Sequence, residues 1–105
     1  MFGMIGKLRA RVDERERLAA ILVESTRALP GCLSYIIARD VSDPDVLWIT
    51  EVWESEEKHK ASLELPAVKA AIDHARPLIH GFDTRIPIDP VGGIGVALRG
   101  PFKAA

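Results

Sequence analysis

The strongest constraint on this chain lies in its middle. Cys32 to Val41 (CLSYIIARDV) and Val46 to Trp53 (VLWITEVW) are rich in β-branched and aromatic residues, and Ser42-Asp43-Pro44-Asp45 between them is turn chemistry. These are the arms of a β-hairpin. Read as alternate residues, one side of the pleat collects Tyr35, Ile37, Arg39, Trp48, Thr50 and Val52, and the other Ser34, Ile36, Ala38, Leu47, Ile49, Glu51 and Trp53. Neither side is cleanly polar. An antiparallel sheet with one wet face alternates apolar with polar, so this pattern predicts a sheet covered on both faces. Helices would cover one face and a second sheet from an identical chain the other, in an isologous homodimer.

The elements around the hairpin complete a recognisable order. Met4, Ile5 and Leu8 among glycines read as a first strand over Met1 to Ala10. Asp13 with Glu16 three residues later resembles a capping box, and Leu18, Ile21, Leu22, Ser25 and Leu29 follow at helical spacing until Pro30-Gly31. Ser55 is placed to cap a short helix to about Leu65, and Pro66 to open another to about Ala75, with Val68, Ala71, Ile72 and Ala75 on one side. His80 to Ile88 reads as a last strand at a sheet edge, because Pro87 has no N–H to donate. The expected fold class is therefore α+β: a ferredoxin-like β-α-β-β-α-β chain, four antiparallel strands with helices on one face, assembled as a dimeric α+β barrel. Residues 1–90 would form the domain, and 91–105 (VGGIGVALRGPFKAA) a tail packed on the domain or on the dimer partner.

Composition removes several function classes. With 105 residues the chain supports one domain that hides roughly 65% of its unfolded surface, a thin core that gains from a partner. Fourteen basic residues against fifteen acidic ones leave a formal charge of -1, which gives no field for nucleic acid or an anionic membrane. Cys32 is the single cysteine, so there is no intrachain disulfide and no Cys-based zinc cluster, and a cytoplasmic setting fits. The opening MFGMIGKLRARV lacks the apolar core of a signal peptide, and no run approaches the roughly 18 apolar residues of a membrane helix. His74 and His80 are poorly spaced with His59 for metal binding, Gly93-x-Gly95 has no helix behind it, and no serine sits in a G-x-S-x-G elbow. No metal and no cofactor are expected. The alternating charges from Lys7 to Arg17 read as a solvated strand end and helix face.

What remains is one polar and aromatic cluster. Glu51 and Trp53 are two apart and project from the same face of one strand, and His59 follows a short turn and one helical turn later. His59 at the edge of an apolar cavity is a candidate base for an acidic phenol or enol; the structural alternative is a core or capping histidine bonded to a carbonyl. Trp53 is either a wall for a flat ligand or ordinary packing. Glu51 is a carboxylate among apolar neighbours and needs a partner; an arginine such as Arg39 across the dimer would be one. Tyr35, the single tyrosine, either donates its hydroxyl to a ligand oxygen or reaches the sheet edge.

With Pro30-Gly31, Tyr35, the Asp43-Pro44 turn, Glu51-x-Trp53, His59 and Ser62-Leu63 before Pro66 in view, the stretch from Pro30 to Ile79 resembles the antibiotic biosynthesis monooxygenases, a family that includes quinol monooxygenases. The resemblance implies the dimeric α+β barrel and oxygenation of a polycyclic phenol, anthrone or quinol by O₂ without metal or flavin. A substrate that has lost its proton can itself reduce oxygen, so the protein need supply only a base and a dry, shaped cavity. His59 would be the catalytic base, with Tyr35, Trp53 and Glu51 around the substrate. The chain departs from the family in lacking the Asn associated with the first strand, since it holds no Asn at all. It places Ser62 and Ile72 where the haem-degrading branch has a Trp and His pair, which points away from haem. Two other functions fit the same residues: a non-catalytic homodimer that binds a hydrophobic metabolite or serves a structural role, and an isomerase that moves a proton without oxygen.

Overall fold

The computed structural model describes residues 1–96. Its elements run β1 (Phe2–Ala10), α1 (Arg15–Ser25), β2 (Cys32–Arg39), β3 (Val46–Trp53), α2 (Glu56–Ser62), α3 (Pro66–Ala75), a 3₁₀ turn (Arg76–Leu78) and β4 (Ile79–Ile88). The four strands form one antiparallel sheet in the order β2-β3-β1-β4, with β4 at an edge as Pro87 requires. This is the ferredoxin-like arrangement, with the second helical stretch divided in two. Leu65 is extended before Pro66 at the first turn of α3, so the break follows the proline's need for a non-helical residue in front of it.

The hairpin register corrects the expected division of its faces. Tyr35 lies opposite Glu51 and Ile37 opposite Ile49, while Ile36 pairs with Thr50 and Ala38 with Trp48. Odd-numbered residues of β2 therefore share a face with odd-numbered residues of β3, and the two sets read from the sequence were crossed. The reason is the turn: the ladder closes with Asp40 N–H donating to the Val46 carbonyl at 3.0 Å, which leaves five residues, 41–45, between them, one more than the four of Ser42-Asp43-Pro44-Asp45. A shift of one residue exchanges the faces entirely. Tyr35, Ile37, Leu47, Ile49, Glu51 and Trp53 lie under the helices, with Met4, Leu8 and Ala10 from β1. The core is built there from Leu8, Ala10, Leu18, Leu47, Ile49, Ala75 and Leu78.

The opposite face remains apolar after the correction. One row across the four strands reads Ile36, Thr50, Ile5 and Ile86, and on the single chain Ile36 and Ile86 are 58% and 51% exposed. Trp48, on the same face, is held flat by Lys7 over its ring at 5.5 Å and by its indole N–H donating to Asp40 at 2.8 Å.

The start of α1 is a second correction. Asp13 adopts φ 67°, and neither it nor Glu14, the N-cap, caps the helix with a side chain. Glu16 turns away to chelate the Arg39 guanidinium, at 2.7 and 3.0 Å from its Nε, which also removes Arg39 as the partner of Glu51. The helix ends at Ser25, short of Pro30. Arg9, read from the sequence as a solvated charge, ties β1 to the hairpin turn through Asp43 at 2.9 Å and to β4 through Asp83 at 3.0 Å. Of the C-terminal tail, Val91 and Ile94 are exposed; residues 97–105 lie outside the described residues, and so does most of the packing expected of that tail.

Candidate active site

The site is assembled where β3 runs into α2. Two local features seat that helix. Ser55 caps it by accepting from the Lys58 backbone N–H at 3.1 Å, and Gly31, at φ 84°, lets the chain pass so close that a Cβ there would lie 2.8 Å from Lys58 Cβ. The Gly31 carbonyl accepts from Glu54 N–H at 2.8 Å, which ties the start of β2 to the end of β3. One turn into α2, His59 is thereby delivered to the sheet beside Glu51 and Trp53.

There the three residues predicted to converge do meet. Trp53 donates its indole N–H to Glu51 Oε1 at 2.9 Å, and the same oxygen lies 3.3 Å from His59 Nε2. The side chains of Glu51 and His59 are each only 12% exposed. The imidazole packs against the edge of the Trp53 indole, with ring centroids 5.4 Å apart at 68°, and against Phe2 at 5.4 Å. A carboxylate in such surroundings needs donors, and it finds them in an indole and an imidazole. With Nε2–H given to the carboxylate, Nδ1 is the nitrogen that is left to take a proton, and it has no hydrogen-bond partner among the described residues. A carboxylate in this position orients the imidazole.

These groups open onto a cavity of about 540 Å³ between the sheet and the helices. Its walls are mostly apolar: Leu22, Leu29, Val68, Ala71 and Ile72 from the helical side, Met4, Leu8 and Ile49 from the sheet. Tyr35 lines it too. Burial, and next the negative charge of Glu51, push the phenol well above the usual range, so its hydroxyl stays protonated and keeps a hydrogen to donate. All four residues singled out from the sequence, Tyr35, Glu51, Trp53 and His59, thus line one space. Sequence reasoning missed Phe2, the second ring against His59, and Arg85, which lines the cavity from β4. The signal for Arg85 was an arginine between Phe82 and Ile86 on the edge strand. Among the described residues no three His, Cys, Asp or Glu side chains cluster to hold a metal ion, and no helix is long and apolar enough to cross a membrane.

Comparison with known proteins places this architecture. A search among curated proteins finds no match. The chain is similar to a solved structure from Chloroflexus aurantiacus J-10-fl, provisionally named an antibiotic biosynthesis monooxygenase, at 54% identity and TM-score 0.89, covering 91% of this chain and 98% of that one. A Deinococcus radiodurans structure under the same provisional name is 30% identical with TM-score 0.73, covering 90% of this chain and 96% of that one. One from Caulobacter crescentus CB15, at 20% identity and TM-score 0.77 over 87% of this chain and 90% of that one, shares the fold. The family model described as antibiotic biosynthesis monooxygenase matches residues 1–74, from the first strand through nearly all of α3. Together with the geometry above, this settles the kinship: the chain belongs to the antibiotic biosynthesis monooxygenase family.

Proposed function

We propose that this protein is a monooxygenase that needs no cofactor and oxidises a small aromatic of the quinol or anthrone type with O₂. The observation that carries the reading is the His59–Glu51–Trp53 arrangement at the wall of an apolar cavity large enough for a multi-ring molecule. His59 takes the proton of a ring hydroxyl, and the resulting anion, held away from water, is the reductant of oxygen. The reaction balances without a further reductant. A dihydroxyarene and O₂ give a hydroxyquinone and water; an anthrone CH₂ and O₂ give the carbonyl and water. In each case one oxygen atom enters the ring system and the other leaves with two hydrogens of the substrate. Trp53 and Tyr35 shape the cavity, and the Tyr35 hydroxyl donates to a substrate oxygen.

Oxygen uptake with a panel of hydroquinones and anthrones tests this. Turnover is expected to require O₂ and to fall by about 10²-fold or more in His59→Ala, the ordinary contribution of a positioned base. Wild-type rates in that variant would overturn the base role. Product formed under anaerobic conditions would replace oxygenation by proton transfer, and ligand-dependent thermal stabilisation with no turnover would leave a binding protein.

The working unit in this reading is a cytoplasmic homodimer, in which a second copy covers the row Ile36, Thr50, Ile5 and Ile86 with the same row. The exposure of Ile36 and Ile86 on one chain supports it. Light scattering at micromolar concentration should give twice the chain mass, and a charge on this face, Ile36→Asp, should shift it toward the single chain. A monomeric wild type would overturn the assembly.

A further inference from the structure

One row across the four strands reads Ile37, Ile49, Gly6 and Arg85, and its last three residues floor the cavity. Gly6 leaves this floor hollow: a Cβ there would have nothing nearer than the Thr84 carbonyl at 3.9 Å. Beside the hollow, Arg85 lies along Met4, with Nε 3.1 Å from its Sδ, and its guanidinium is 5.5 Å from the centre of the Phe82 ring. Of the two arginines that line the cavity, Arg76 has a carboxylate, Asp73, at 3.8 Å, whereas Arg85 has none within 4.0 Å among the described residues. Its charge reaches the Tyr35 phenol, where it opposes burial and the field of Glu51. The cavity thus has two unlike ends. At β3 stands the His59–Glu51 pair, and at β4, two strand spacings or about 10 Å away, stands a guanidinium without an anion.

We propose that the substrate is a hydroxylated aromatic carboxylate of about two fused rings, its carboxylate held by Arg85 and its hydroxyl presented to His59. A guanidinium resting on a thioether and an aromatic ring is oriented in advance, and its fork matches a carboxylate through two parallel N–H donors. Arg85 is on this view a specificity residue, remote from the proton transfer. The placement of the hydroxyl rests on the oxygenase reading; the preference for an anion does not.

The test is a matched pair of probes, naphthalene-1,4-diol and its 2-carboxylate, titrated under anaerobic conditions by calorimetry. Wild-type protein should bind the carboxylate about tenfold more tightly than the diol, and the advantage should shrink as salt is raised. In Arg85→Gln it should fall below about twofold, in Arg85→Lys recover in part, and in Arg76→Gln persist. Equal affinities in wild type, failure of the carboxylate to bind, or an advantage that survives Arg85→Gln would each overturn the proposal. Absence of oxygen uptake with both probes, with the preference intact, would sink the oxygenase reading and leave the anion site standing.

Discussion

Glu51 and Trp53 offer the sharpest probe of how the site is held together. Removing the indole N–H by Trp53→Phe takes one of two donors from a carboxylate that is almost fully buried. A hydrogen bond to a charged group contributes about 1.5–3 kcal/mol. The smaller ring also leaves a void of roughly 40 Å³, which at about 24 cal/mol per Å³ adds about 1 kcal/mol. Trp53→Phe should therefore cost about 2.5–4 kcal/mol, a large part of the stability of a domain this size. The same change made on Glu51→Leu, where no carboxylate awaits the donor, should cost only the packing part, about 1 kcal/mol. The difference between the two, about 1.5–3 kcal/mol, is the coupling energy of the bond. Urea unfolding of the four proteins at one fixed protein concentration measures it, because a dimer's stability depends on concentration. A coupling below about 0.5 kcal/mol would refute the view that Trp53 stabilises the buried carboxylate, and would return the tryptophan to the role of core filler.

Three further outcomes follow from the geometry. Asp40 accepts from the Trp48 indole and from the backbone N–H groups of Asp43 and Ser42, which hold its carboxyl at about 2, below the ordinary 3.8; its stabilisation is complete above pH 4 and lost as pH falls toward 2, so acid unfolding between those values should be shallower in Asp40→Asn. Tyr35 runs the other way: a phenol raised by burial stays protonated in the fold while the unfolded chain ionises above pH 10, so stability should fall above that pH by up to about 1.4 kcal/mol per pH unit, and Tyr35→Phe should lessen the slope. Gly3→Ala would place a methyl 2.8 Å from Ile88 Cγ1, 2.9 Å from Pro90 Cγ and 3.0 Å from the Glu51 carbonyl, an overpacking of about 1–3 kcal/mol that thermal or urea melts would register.

The charged residues near the N-terminus show how little a charge run says by itself. From Lys7 to Arg17 the alternation reads as solvated surface, yet Arg9 bridges Asp43 and Asp83, residues 34 and 74 positions away, and Arg15 donates to the carbonyls of Asp40 and Asp43. The turn between β2 and β3 is thus clamped from outside by residues with no periodic signature. That turn, with five residues between Asp40 and Val46 where the sequence reading had four, is also what displaced the hairpin register.

The elements themselves are local matters, which is why the chain's own order of residues determined them. β-Branched and aromatic runs, a proline at the start of α3, a serine before α2 and a proline near the end of β4 each act on their own backbone within a few residues. The convergence of Glu51, Trp53 and His59 was legible for the same reason: all three lie within nine positions, joined by one turn. Register is not local. Whether Tyr35 faces Glu51 or Thr50 depends on a loop whose conformation is held by Arg9 from β1 and Arg15 from α1. The capping box failed likewise, because Glu16 found a stronger partner in Arg39, 23 residues on. Arg85 belongs to the site only because β4 pairs with β1 opposite Gly6, a contact between residues 79 positions apart that no spacing rule reports. Tertiary structure alone decided which charges were neutralised, and so which arginine of the cavity was left without a carboxylate among the described residues.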